Sequence, residues 1–211
     1  MGSPFIQHII QVRPAARADA PLLARLADLA GEGLPRHLWA RDAAPGQDPL
    51  EVGTARARRD SGAFSWPNAR IATWHGAAVG GIVDYDLDDV EAGRDVPALL
   101  APLLELEALS GGTRYINILA VLPQARRRGI AAAIVADVAA RTRRDLSLIV
   151  ASENRTARGF YVGSGFDEVT SLAMGPGGPK GLSGNWILMR RPGPATSAET
   201  LPASGTEAVC A

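Results

Sequence analysis

The sequence predicts a single α/β domain built on a mixed, mostly antiparallel sheet with helices on both faces. Three observations lead there. Apolar or alternating runs of strand length recur at 8–13, 69–74, 77–85, 115–122, 146–151, 167–174 and 185–190. Segments with helical spacing of apolar residues lie between several of them, notably 20–30, 96–109 and 130–144. Finally, 69–85 has the form of a hairpin, and the strand–helix–strand order across 115–151 calls for a right-handed parallel crossover, so the sheet must mix both pairings.

Composition bounds the function. With 211 residues, 46% of them hydrophobic, the chain can bury one substantial core and is short for two. A formal net charge of zero gives no reason to expect a nucleic-acid or membrane partner. The lone cysteine, Cys210, excludes a disulfide core and suits a reducing compartment. No early apolar segment resembles a secretion signal and no apolar stretch reaches eighteen residues, so a cytoplasmic protein is expected. His8, His37 and His75 are scattered without metal-ligand spacing, so no metal is expected.

Taken in order, 1–7 is a flexible start, and the 8–13 run is the first strand, closed by Pro14. Asp19 is placed to cap a helix whose apolar positions are Leu22, Leu23, Leu26, Leu29 and Ala30, with Pro21 near its start and Gly31 and Gly33 ending it. Two short helices, one continuing through 38–41 and one over 50–59, follow. Trp39, Arg41, Phe64, Ser65 and Trp66 lie here, where paired tryptophans commonly serve packing; the family resemblance given below implies that the segment covers an acceptor site and makes them candidates for substrate contact. His75-Gly76 is the hairpin turn. Asp84, Asp86, Asp88, Asp89 and Glu91 read as a solvated acidic loop, with attraction for a cationic amine as the alternative. Residues 96–109 read as a helix carrying Glu105 and Glu107, stopped by Gly111-Gly112.

The centre of the chain carries the chemistry. The apolar run 115–122 stops at Pro123, three arginines follow, and then Gly129 opens an alanine-rich helix with Ile130, Ile134, Val135 and Val138 on one face. A helix N-terminus leaves free N–H groups and a positive dipole end, and guanidinium groups beside it suit a pyrophosphate. Arg141, Arg143 and Arg144 at the far end complement the negative pole. A second pattern starts at Asn154, reads as an N-cap, and continues through Ala157, Phe160 and Tyr161 to Gly165-Phe166.

Together these two patterns resemble the signatures of the GCN5-related N-acetyltransferases, the GNAT family: Arg126-Arg127-Arg128-Gly129-Ile130-Ala131 for the first, and Asn154, Ala157, Tyr161, Gly165 and Phe166 for the second. The resemblance spans roughly 8–191 and implies a single GNAT-like acyl-CoA N-acyltransferase domain over those residues, with 192–211 as a flexible tail. It implies acetyl-CoA as co-substrate, held by Arg126, Arg128, Gly129, Ile130 and Ala131 at the pyrophosphate. Main-chain groups of Leu119 and Val121 would pair with the pantetheine arm, and Asn154 and Ala157 would lie along the coenzyme. Tyr161 would protonate the departing thiolate, neutral at pH 7 because an ordinary tyrosine pKa is about 10. Alanine at 131 replaces the second glycine of many members, a change the signature allows.

Members commonly place a glutamate on or just before the fourth strand as base, whereas the strand 115–122 holds no acid. Glu105 is the base chosen from the sequence; Glu107, Tyr115 and Asn117 are the other polar groups near it, and two glutamates two residues apart cannot share a helical face. The implied function is direct acetyl transfer to a primary amine of a small molecule or peptide, with the acceptor and a homodimer left open. A catalytically idle acyl-CoA sensor is the alternative; a nucleotide-binding regulatory domain is disfavoured, since no Gly-x-Gly-x-x-Gly or Walker-type loop occurs.

Overall fold

The computed structural model describes residues 10–88 and 96–194; the predicted N-terminal start, His8, Asp89, Glu91, Cys210 and the tail from 195 lie outside the described residues. Seven strands form one sheet: β1 (Ile10–Pro14), β2 (Ala69–Trp74), β3 (Ala77–Leu87), β4 (Thr113–Val121), β5 (Leu146–Ala151), β6 (Asp167–Ala173) and β7 (Asn185–Arg191). Their order is β1-β2-β3-β4-β5-β7-β6. Only the β4–β5 pair is parallel; the five other neighbouring pairs are antiparallel. The mixed, mostly antiparallel sheet is therefore as expected.

One face is covered by α5 (Ile130–Arg141) and α6 (Arg155–Gly163). There Ile130, Ile134, Val135 and Val138 of α5 and Tyr161 of α6 pack on Ile82, Ile116, Leu146, Leu148, Ile187 and Met189. On the other face α1 (Ala20–Ala30) and α3 (Pro49–Ala57) bury Leu23, Ala27 and Ala57 against Ile71, Val83 and Ile118. Beside them, α2 (Leu34–Trp39) and α4 (Ala101–Ala108) pack Leu34 and Leu106 on Ala151, Trp186 and Leu188. Apolar side chains on two faces of one sheet thus give the domain its stability, as area removed from water.

Several local expectations are corrected. Pro14 ends β1 from inside it, tolerated because β1 is an edge strand. Asp19 sits at the N-cap position of α1 without capping it: its carboxylate accepts from Ala16 N at 2.7 Å and from the Arg13 guanidinium at 2.8 Å. The buried stripe of α1 is Ala20, Leu23, Ala24, Leu26 and Ala27, and Leu29 is exposed. Asp48 does cap α3, accepting from Leu50 N at 3.0 Å. Trp39 is core: it stacks on Phe64 at 5.9 Å, and a Cβ on Gly53 of α3 would come within 2.4 Å of its ring. Glycine at 53 is what allows the two helices this approach. The hairpin turn is as expected, with positive φ at both His75 (50°) and Gly76 (79°).

The acidic loop is the larger correction. Asp84 and Asp86 belong to β3, and Asp84 is 1% exposed. Its carboxylate accepts from Arg114 Nε at 2.6 Å and Arg141 Nη2 at 3.1 Å. Arg144 pairs with Asp88 and lies 3.9 Å from Asp86. Arg141 and Arg144 thus serve β3 more than the pole of α5. Arginine near the pole and acids along the strand are one feature seen from two segments.

Candidate active site

The register of β4 builds the site. Its pairing with β3 shifts between Val83↔Ile118 and Asp84↔Ile116, leaving Asn117 as the extra residue of a bulge. Ile118 packs on the α1 face, whereas Ile116, Leu119 and Val121 all pack on the α5 face. Below the bulge, Tyr115 turns toward α4 and its ring meets Tyr85 of β3 edge-on at 5.8 Å.

With β5 the pairing lasts for three residues only, Arg114↔Leu146, Tyr115↔Ser147 and Ile116↔Leu148. Beyond it, β5 continues to Ala151 beside β7, and β4 continues to Val121 beside β3. The two strands part, and the sheet is split. Leu122 N donates to Val79 O on the β3 side, so by the alternation of a ladder Leu119 and Val121 direct their main-chain groups into the split. Arg126 Nε reaches the Val121 carbonyl at 3.2 Å.

At the mouth of the split, a 3₁₀ turn (Pro123–Ala125) leads through Arg127 (φ 62°) and Gly129 (φ 78°) into α5. No side chain caps this helix, and its first main-chain bond is Ala133 N to Gly129 O. The N–H groups of Arg127 through Ala132 consequently have no hydrogen-bond partner among the described residues. Six adjacent donors, at a positive helix end and flanked by exposed arginines, form a cradle for a polyanion. Arg128 is fixed beside it, its guanidinium carbon 4.1 Å from the Trp74 ring centroid.

Across the split stands α6. Asn154 caps it, Oδ1 accepting from Ala157 N at 3.0 Å. Tyr161 is buried between Phe160 and Phe166, with ring centroids 5.3 and 5.5 Å away. Burial pushes its phenol above the ordinary tyrosine range, so it stays protonated at neutral pH.

On the opposite face gathers a polar group only partly legible in the sequence. Asn117 Nδ2 donates to Tyr85 Oη at 2.9 Å. Glu107, on α4, faces the Tyr115 hydroxyl; burial raises its pKa, opposed by that hydrogen bond. Tyr115 is pushed well up by burial and then by the Glu107 charge, with Tyr161 across the split adding to it. Tyr85 is pushed up to about 12, mainly by burial and against the pull of Asn117. Glu105, the base chosen from the sequence, is exposed on α4, so the inward glutamate is Glu107. Helical spacing held the signal: counted from Leu99, Leu103 and Leu106, position 107 falls on the buried face and 105 off it. Tyr85 had no sequence signal, because its place depends on cross-strand pairing with Tyr115. The candidate acceptor-contact residues separate: Trp39 is core, Ser65 is buried with its hydroxyl on Gly62 O, and Trp66 Nε1 donates to Asp60.

The split parallel pair thus has an anion cradle at its mouth, a buried phenol on one face and a half-buried carboxyl on the other. Residues 106–176 match the model of the acetyltransferase (GNAT) domain, which supports an acyltransferase. The fold of the chain is similar to that of an N-acetyltransferase from Staphylococcus aureus Mu50, at 15% identity and TM-score 0.62, over 85% of this chain and 99% of that one. It is also similar to a histone acetyltransferase HPA2 and related acetyltransferase from Corynebacterium glutamicum (20%, TM-score 0.57, 89% and 98% covered) and to a GNAT-family acetyltransferase from Bacillus cereus (10%, 0.54, 89% and 99%). No curated protein sequence matches the chain. Among the described residues no helix is long and apolar enough to cross a membrane, and no group of three metal-ligating side chains occurs.

Proposed function

We propose that this protein transfers an acetyl group from acetyl-CoA to a primary amine of a small molecule or peptide, by direct attack within a ternary complex. The observation that carries this reading is the row of unpartnered N–H groups from Arg127 to Ala132, set where β4 leaves β5. The residues fit the coenzyme: Arg128, Gly129, Ile130 and Ala131 would hold the pyrophosphate, with Arg126 at the mouth, and Leu119 and Val121 would take the pantetheine amides along the split. Asn154 and Ala157 would flank that path. When bound, the coenzyme supplies an activated acetyl thioester with a thiolate as leaving group.

The remaining chemistry belongs to protons. An alkyl amine with a pKa near ~10 arrives mostly as ammonium and must lose a proton to attack. Glu107, whose pKa is raised by burial, would accept it through the Tyr115 hydroxyl or bridging water, while Asn117 Nδ2 orients Tyr85 Oη by donating to it. Tyr161 Oη gives a proton to the departing sulfur, a role its elevated pKa suits because the phenol remains loaded. No enzyme nucleophile is required, since the amine itself is the nucleophile.

The test is thermal unfolding with acetyl-CoA, NADH or ATP, combined with release of free thiol on adding amines. At a hundredfold excess over its Kd, acetyl-CoA should add about 2.7 kcal/mol of stability. NADH and ATP should add far less, and Tyr161→Phe should slow thiol release while keeping the shift. Absence of a shift with acetyl-CoA would remove the coenzyme site and the reading with it.

A further inference from the structure

The acceptor side of the split has its own chemistry, and we infer that it selects an amine carrying an apolar substituent and a nearby carbonyl oxygen, which Trp186 binds through its indole N–H. This rests on the acetyltransferase reading above and specifies its acceptor. Trp186 opens β7, pairing with Ala151 at the end of β5 and Leu172 of β6. Its side chain is 6% exposed and packs with Leu34, Leu99, Leu106, Ala151 and Leu188 on the same face as α4 and Glu107. Its Nε1 is buried with no hydrogen-bond partner among the described residues. A buried donor left unmade is costly, so an oxygen acceptor reaching it is favoured beyond its ordinary worth.

The surroundings decide the rest of the ligand. Around this core lie Leu38, Leu100, Leu103, Ile149, Met174 and Leu182, each partly buried, from α2, α4, β5 and the β6–β7 connection. That connection is rich in glycine, with positive φ at Gly177, Gly181 and Gly184, and its Leu182 and Met174 pack against the cluster that holds Trp186 and cover part of it. Opening this cover exposes an apolar surface with one orphan donor. A polyamine has no use for either. Asp84, Asp86 and Asp88 offer it no help here, being paired with Arg114, Arg141 and Arg144 by α5, on the other face. An α-amine beside a carbonyl and an apolar side chain uses the whole arrangement: oxygen on Trp186, side chain on the leucines, nitrogen toward Glu107. Free amino acids and peptide N-termini share this chemistry.

The experiment compares acetylation of L-leucinamide, L-leucine, a Leu-initiated tetrapeptide, 3-methylbutylamine and spermidine, in wild type and Trp186→Phe. Wild type should use a leucine-bearing acceptor with kcat/KM at least tenfold above spermidine. Leucine against leucinamide and the peptide separates the two sources. Trp186→Phe keeps the ring and deletes the donor. It should raise KM about tenfold for the carbonyl-bearing amines, leave 3-methylbutylamine and acetyl-CoA unchanged, and leave Tm unchanged or higher because the orphan is gone. A purely structural tryptophan would move all acceptors alike, and that outcome overturns the inference. So does preference for spermidine, or no turnover of any leucine-bearing amine by a protein that acetyl-CoA still stabilises. Those results leave the coenzyme reading standing, whereas loss of the acetyl-CoA shift would strike that reading itself.

Discussion

Replacing Glu107 by glutamine separates its proposed catalytic role from its effect on folding, because the two move in opposite directions. As a base acting in proton transfer, its removal should cost about 10²–10⁴ in kcat, or roughly 3–5 kcal/mol of barrier at 1.36 kcal/mol per tenfold. KM for acetyl-CoA should not change, since Glu107 lies on the face away from the cradle. Stability should rise instead. Burial raises the Glu107 pKa above its unfolded value, so the folded state holds the proton more tightly than the unfolded chain. The carboxyl's contribution is therefore most favourable below the ordinary glutamate range, about 4.3, and is lost as pH rises through the raised folded pKa. Above that window the wild type carries a half-buried charge that Glu107→Gln does not. The variant should melt higher than wild type at pH 8, and the difference should close on acidification toward pH 4.

Two assays check this: pH-dependent kcat by thiol release, and melting temperature over the same pH series. Wild-type kcat should fall on an acid limb displaced above the usual carboxylate range, and Glu107→Gln should lack that limb. Glu105→Gln, an exposed change, should leave rate and limb within twofold of wild type. Equal losses in both variants, or an intact limb in Glu107→Gln, would refute the assignment. A variant that is slower and also less stable would point to damage rather than lost chemistry.

Two further substitutions test the scaffold. Asp84→Ala strands Arg114 and Arg141 beside a vacated buried site; breaking such a pair costs about 3–5 kcal/mol, and with both arginines partly solvated the low end is expected. That is a fall in Tm of roughly 6–12 °C for a domain of this size, read by thermal melting. Gly159→Ala should do the reverse: the residue lies within α6 with negative φ, and a Cβ there meets nothing within 4 Å. A gain approaching about 1 kcal/mol with unchanged thiol release is expected.

What the sequence made legible was what local pattern encodes. Strand runs, the His75-Gly76 hairpin, the crossover through α5 and the glycine-led helix start depend on residues adjacent in the chain. Asp84 was misread because its meaning is not local: Asp84, Asp86 and Asp88 repeat at the period of a strand face, and only the approach of Arg114, Arg141 and Arg144 makes that face a place for acids. Glu107 was within reach of helical counting, whereas Tyr85 was not, being placed by the β3–β4 register. Trp186 reads as an ordinary apolar strand residue, and its unmatched N–H exists only in three dimensions.

The bulge at Asn117 shows why this register is bound up with function. In regular alternation Tyr115, Asn117, Leu119 and Val121 would all face one side of the sheet. With one extra residue inserted, Leu119 and Val121 stay with α5 while Tyr115 turns to Glu107. In the proposed reaction one strand would then serve both halves, with apolar side chains toward α5, polar groups toward α4, and its free main-chain edge between them. The split from β5 begins at the same place, since the last parallel pair is Ile116↔Leu148, immediately before Asn117. A bulge re-aims side chains and ends pairing together. Removing it by deleting Asn117 would restore alternation and turn Tyr115 away from Glu107, so proton transfer and the opening of the sheet are tied to a single inserted residue.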